Sequence, residues 1–190
     1  MISGRGSNLR ALIASEVRSA IRVVISNRVE AAGLEAARDA GIETVVIPHH
    51  DFARREAYDH ALVEALRARG IGLVCLAGFM RLLGPTFCAA FPSAILNIHP
   101  SLLPAFPGVD AQAQALAHGV KLSGATVHFV TPELDAGPIV AQRAVPVLDG
   151  DTADTLAARI LEVEHQIYPD AVRRVLAGGW RLNGRRVVFD

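Results

Sequence analysis

Lysine is nearly absent from this chain. Lys121 is the single one, so arginine carries almost all the positive charge. The 19 basic residues are matched by 19 acidic ones, and the zero net charge gives no sign of a nucleic-acid partner. Cysteine is scarce as well. Cys75 and Cys88 make no disulfide framework, and Cys75, inside an apolar run, reads as a reduced core thiol. No apolar run approaches the roughly 18 residues of a membrane span, and no basic-then-apolar signal stands at the N-terminus. No membrane partner is expected, and the chain is read as cytoplasmic. Seven histidines are present, but none is spaced as His-x-x-x-His, and there is no Cys-x-x-Cys. No metal site is therefore expected. A Gly-x-Ser-x-Gly elbow is also missing, which argues against an α/β-hydrolase.

What is present is an alternation of strands and helices. The 190 residues are enough for one domain with a real core or for two small ones, and half of them are hydrophobic (51%), as suits a globular protein. Residues 21–26, 43–47, 73–77 and 93–96 read as short buried strands. Residues 30–40 and 53–69 read as helices ending before Gly41 and Gly70. A helix is also expected from Ser7 or Asn8, carrying Leu9, Leu12, Ile13 and Val17, and a short one over 85–90. This order predicts an α/β fold with parallel strands joined by right-handed crossovers and helices on both faces of the sheet. Further on, 110–118 reads as a helix, and 123–130 and 139–142 as strands whose short connection makes them antiparallel. Thr152 caps a long helix to 176, and Asn183-Gly184 between apolar flanks predicts a hairpin.

The chain is organised around Asn97-Ile98-His99-Pro100-Ser101-Leu102-Leu103-Pro104. Asn97 and His99 are two apart, so on a strand both point to one side. Pro100 ends the ladder, which presents an amide and an imidazole together at a strand's carboxyl end, where open α/β sheets bind ligands. The plainer reading is a strand end and a proline turn, with His99 bonded only to a backbone carbonyl. Asp135, on the polar loop 131–138, is the candidate acid for His99. An amide and an imidazolium backed by a carboxylate are suited to an oxyanion, which implies acyl-type transfer without a covalent intermediate.

Two loops have a functional and a plain reading side by side. Ser3-Gly4-Arg5-Gly6-Ser7 feeds a helix start, which suits a phosphate, but it is neither a Walker loop nor a full dinucleotide fingerprint. The loop 78–85 follows the fourth strand and either lines a ligand pocket or packs normally.

These stretches resemble the phosphoribosylglycinamide formyltransferase family. The matching residues are Ser3 to Leu9, Phe52 to Asp59, Ala77 to Arg81, Leu96 to Pro104, Thr126 to Val130, Glu133 to Pro138 and Glu164 to Pro169, in family order over nearly the whole chain. Asn-x-His-Pro-Ser-Leu-Leu-Pro marks the wider group that handles 10-formyltetrahydrofolate; the glycine loop and Glu-His-x-Ile-Tyr-Pro narrow it. The resemblance implies a Rossmann-like formyltransferase fold, with a mostly parallel central sheet and an antiparallel strand in the C-terminal half. It implies a single domain over 1–190, with 1–95 the nucleotide and phosphate half and 96–190 the catalytic and folate half. The implied reaction moves the formyl group of 10-formyltetrahydrofolate, the co-substrate, onto the amine of glycinamide ribonucleotide in purine synthesis.

By resemblance, Asn97, His99 and Asp135 are catalytic. Gly4, Gly6, Ser7 and Asn8 hold the ribonucleotide phosphate, and Glu164 meets its amine. Arg55, Met80, Arg81, Leu82, Asn97, Val130, Glu133 and Asp135 line the folate side. Thr126 and His128 support the cleft, their plain role being strand packing. A monomer or homodimer is expected.

The chain departs from the family pattern twice. Only Met1 and Ile2 stand where the family has a full first strand, so an unpaired edge or an unseated phosphate loop is expected, and a start assigned inside that strand is the simplest account. After Pro107-Gly108 the chain reads Asp110-Ala111-Gln112 where the family often has Thr-His, a difference that bears on a phosphate-side contact and not on the transfer chemistry. Three rivals remain. A formyltetrahydrofolate hydrolase would carry a preceding regulatory domain. A methionyl-tRNA formyltransferase would carry a further domain and a basic surface. A folate- or nucleotide-binding module would bind without turnover.

Overall fold

Short valine- and isoleucine-rich runs become strands, and glycines at positive φ, Gly41, Gly70 and Gly119, follow three of the helices. The computed structural model describes all 190 residues. Its order is α1 (Ser7–Ile13), β1 (Val23–Ser26), α2 (Gly33–Asp39), β2 (Glu43–Val46), α3 (Arg55–Arg67), β3 (Val74–Leu76), α4 (Pro85–Ala90) and β4 (Ile95–His99). It continues with α5 (Ala111–Ala117), β5 (Leu122–Phe129), β6 (Ile139–Pro146), α6 (Ala153–Ala177), β7 (Trp180–Asn183) and β8 (Arg186–Phe189). The chain divides into two compact units, Met1–Leu96 and Asn97–Asp190.

The first unit pairs β1 and β2 in parallel, with Val23 opposite Glu43 and Ser26 opposite Val46. The expected edge beside the short first strand is not left open. Ile2 bridges Ser26 in parallel, and its N–H donates to the Ile25 carbonyl (2.9 Å). On the other side the Ala77 N–H donates to the Met1 carbonyl (2.9 Å), and the Ser3 N–H to that of Gly78 (3.0 Å). Ladder bonds come from backbone alone, so two residues suffice to make them. Ile2 is fully buried, which adds about 1.5–3 kcal/mol for a side chain of its size.

The first helix is shorter than its apolar spacing suggests. It stops at Ile13, and Val17 sits on a separate 3-10 turn over Glu16–Ala20. The Ser15 hydroxyl donates to the Leu12 carbonyl (2.8 Å) and competes with helical bonding there. The second helix begins at Gly33, whose N–H is drawn to the Gly4 carbonyl (3.1 Å).

In the second unit the strand order is β4, β5, β6, β8, β7. β5 and β6 run antiparallel, with Leu122 opposite Pro146, and a register shift falls between Val127 and His128. β6 meets β8 in parallel at Ile139 and Arg186, and β7 and β8 form the hairpin expected around Asn183-Gly184. The α6 helix lies against β5 and β6. Thr152 caps it reciprocally with Thr155: each side-chain oxygen accepts from the other's backbone N–H (2.9 and 3.2 Å). Leu156, Ile160, Ile167, Ala171 and Val175 make its buried stripe, and Glu164 falls on that stripe too. An acid is thus carried into the interior by helical spacing alone. No helix of the chain is long and apolar enough to cross a membrane.

Candidate active site

In the second unit β4 ends on Asn97 and His99, with Ile98 buried between them. The turn that follows is tied to β5. The Thr126 hydroxyl donates to the Ser101 carbonyl (2.6 Å) and accepts from the Leu103 N–H (3.0 Å). Gln142 Nε2 reaches both the Leu103 carbonyl (2.8 Å) and the same hydroxyl (3.0 Å). The Leu103–Pro104 peptide is cis. Thr126 therefore holds the turn in shape rather than merely packing a strand.

His99 is almost wholly buried, and both its ring nitrogens face oxygen. Nε2 donates to the Phe106 carbonyl (2.9 Å), as the plain reading allowed, and Nδ1 lies 3.4 Å from Asp135 Oδ2. Asp135 sits at φ 48°, a left-handed backbone that turns its carboxylate inward. The Gly108 N–H donates to the same Oδ2 (2.8 Å). Asp135 Oδ1 lies 3.6 Å from His128 Nε2, too far for a hydrogen bond.

His128 explains how Asn97 is oriented. Burial, the largest cause, pushes its imidazole below the ordinary value, opposed by the Phe129 carbonyl and the Asp135 charge. Its Nδ1 lies 2.9 Å from the Phe129 carbonyl and is the protonated nitrogen. Nε2 then carries a lone pair, and the Asn97 amide nitrogen sits 3.2 Å from it. That bond consumes one amide hydrogen and leaves the second for a ligand oxygen. Asn97, His99, His128 and Asp135 thus come together as one polar cluster. Val130 and Glu133 lie on the same loop as Asp135, and Glu164 is buried on α6.

In the first unit the glycine loop enters α1 at Gly6, φ 73°. A Cβ there would lie 2.7 Å from the Gly33 Cα, so only glycine allows this approach. Gly4 is exposed, Ser7 half-buried and Asn8 buried. Arg55 opens α3, and Met80, Arg81 and Leu82 stand exposed on the loop after β3. No group of three or more His, Cys, Asp or Glu is arranged to hold a metal ion.

Several participants left no sequence signal. The Phe106 carbonyl and Gly108 N–H act through backbone, which composition does not reveal. Gly33 stands far from the glycine loop it packs on. Ser3 and Asn27 bond to each other (2.5 Å) at the ends of separate strands, as only folding could arrange.

Residues 1–172 match the formyl transferase family. The chain is 44% identical to phosphoribosylglycinamide formyltransferase of Escherichia coli strain K12, over 97% of this chain and 86% of that protein. It is 48% identical to the trifunctional purine biosynthetic protein adenosine-3 of Bos taurus over 97% of its own length, but spans only 19% of that longer protein. A crystal structure of glycinamide ribonucleotide transformylase 1 from Symbiobacterium toebii superposes with a TM-score of 0.96 at 52% identity, covering 100% of this chain and 92% of that one. The α/β architecture with an antiparallel C-terminal part is that of the formyltransferases. The chain belongs to the phosphoribosylglycinamide formyltransferase family.

Proposed function

We infer that the chain transfers the formyl group of 10-formyltetrahydrofolate to the amine of glycinamide ribonucleotide, in purine synthesis. The observation that carries this reading is the cluster of Asn97, His99, His128 and Asp135, with one Asn97 amide hydrogen free for a ligand oxygen. The ribonucleotide amine attacks the formyl carbon, and the carbonyl electrons move onto oxygen. The free Asn97 N–H donates to that oxygen, and the His99 Nε2–H turns to it from the Phe106 carbonyl. The tetrahedral intermediate collapses as the bond to folate N10 breaks. The amine loses one proton and N10 gains one, passed by Asp135 through water.

The ribonucleotide phosphate is held by backbone N–H groups of Gly4, Gly6, Ser7 and Asn8. Glu164 meets the substrate amine. Arg55, Met80, Arg81 and Leu82, with Asn97, Val130, Glu133 and Asp135, receive the folate. We read residues 1–190 as one formyltransferase domain, acting in the cytoplasm on two small molecules as a monomer or homodimer, without a metal.

The test mixes glycinamide ribonucleotide with 10-formyltetrahydrofolate and follows release of tetrahydrofolate. Release that requires the ribonucleotide is the expected result. Release without it would identify a hydrolase, and binding of both substrates without release would identify a binding module.

A further inference from the structure

The segment that presents Met80, Arg81 and Leu82 has no helix or strand of its own; it runs from the end of β3 to the start of α4. Met80, Arg81 and Leu82 are open to solvent, Met80 at 70% and Leu82 at 60% relative exposure, between the buried Phe79 and Leu83. Three successive residues with exposed side chains and no backbone ladder of their own should wander, since ordering each residue costs about 1–2 kcal/mol of backbone entropy. Yet it is held at each end by a buried polar side chain. At its start the Met80 N–H donates to Ser3 Oγ (2.8 Å). At its end the Gly84 N–H donates to Asp59 Oδ2 (2.8 Å).

Both anchors are built sites. A backbone N–H only donates, so Ser3 Oγ accepts from Met80 and must give its own hydrogen elsewhere. It gives it to Asn27 Oδ1 (2.5 Å), and the Asn27 amide nitrogen then faces His49 Nδ1 (3.2 Å). Ser3 and Asn27 are buried, and Ser3 directly precedes the glycine loop. Asp59 is 1% exposed, and its Oδ1 has no partner. Burying a carboxyl for one backbone bond is costly, and its pKa is raised, first by that burial. Gly84 permits the approach: a Cβ there would lie 2.5 Å from Asp59 Oδ2. The hydrogen bond this buried carboxyl accepts comes from the Gly84 N–H, so it fixes the position of the segment's far end.

We propose that Ser3 and Asp59 are positioning residues for the formyl donor, fixing the two ends of the segment that carries Met80, Arg81 and Leu82. This deepens the reading of those three residues as folate-lining and rests on it. Ser3 also abuts the phosphate loop, so its loss reaches both substrates; that of Asp59 reaches only the donor.

The test is steady-state kinetics in each substrate, with thermal melting as a check on folding. Asp59→Ala should raise the KM for 10-formyltetrahydrofolate about tenfold, the scale of one lost buried hydrogen bond. The KM for the ribonucleotide and kcat should stay within about twofold. Asp59→Asn keeps an oxygen for the Gly84 N–H and should restore the donor KM, which loss of packing alone would not predict. Ser3→Ala should raise both KM values, and Ser3→Thr should restore them.

Met80→Ala with Leu82→Ala separates the two layers of the argument. If that pair leaves the donor KM unchanged, the folate reading of the segment falls. If the pair raises it and neither Ser3→Ala nor Asp59→Ala does, the anchoring proposal falls. Amide hydrogen exchange on the unaltered protein decides the matter even where a variant unfolds. Met80 and Gly84 amides should exchange far more slowly than those of Arg81 and Leu82, and equal rates across the four would overturn the proposal.

Discussion

The Asn97 amide nitrogen lies 3.2 Å from His128 Nε2, while His128 Nδ1 lies 2.9 Å from the Phe129 carbonyl. A backbone carbonyl thereby sets the tautomer of a buried histidine, and the histidine sets which way an amide points. Asn97→Asp keeps the size but turns the donor into an acceptor. Turnover should fall by about 100-fold or more, the cost of one oxyanion donor, with little change in KM for the ribonucleotide. Unchanged kcat in a well-folded Asn97→Asp protein would remove the amide from the mechanism.

His99 and Asp135 should behave as a unit. His99 Nδ1 lies 3.4 Å from Asp135 Oδ2, and both side chains are nearly buried. His99→Ala and Asp135→Asn should each lower turnover by roughly 100-fold, and the double variant should cost little more than either alone. Equilibrium binding of the ribonucleotide should survive in all three. Additive losses in the double variant would show that the two side chains act separately.

His128 also predicts a pH dependence of stability. Its folded value is lowered below 6.5, mainly by burial. Below about pH 6.5 the unfolded chain therefore takes up a proton that the folded one resists. Stability from this group is fully present above that pH and is lost as pH falls toward the folded value. The melting temperature should drop through this window, and His128→Gln should flatten the drop. His165 is shifted the same way by burial, so part of the slope should remain. An identical pH–melting curve in the variant would remove His128 as a cause.

The glycine loop gives a prediction of another kind. Gly6→Ala places a Cβ against the Gly33 Cα at 2.7 Å and at φ 73°, where a side chain is disfavoured by about 1–2 kcal/mol. The loop must open. The KM for the ribonucleotide should rise at least about tenfold while that for the folate changes little. Equal changes in both would point to general unfolding, which melting would reveal.

The order of helices and strands was plain in the residues, because apolar spacing and glycine stops act locally. So were Asn97 and His99, whose two-residue spacing on a strand needs no partner to be read. Element ends were less plain. Val17 continues the apolar spacing of α1, but the Ser15 hydroxyl ends the helix before it. The short first strand was misleading in the other direction. The resemblance, with only two residues where the family has a full strand, implied an open edge, yet Met1 and Ile2 are bonded on both sides.

By itself the sequence determined the fold class, the family signatures and the pairing of an amide with an imidazole at a strand end. These depend on side-chain period and on residue type, which are properties of neighbours in the chain. Only tertiary structure decided that Asp135 turns to His99, that Phe106 and Gly108 bond to that pair through their backbones, and that His128 directs Asn97. It alone joined Ser3 to Met80 and Asp59 to Gly84. Such bonds link residues far apart in the chain and form only once burial has removed the water that would otherwise satisfy them.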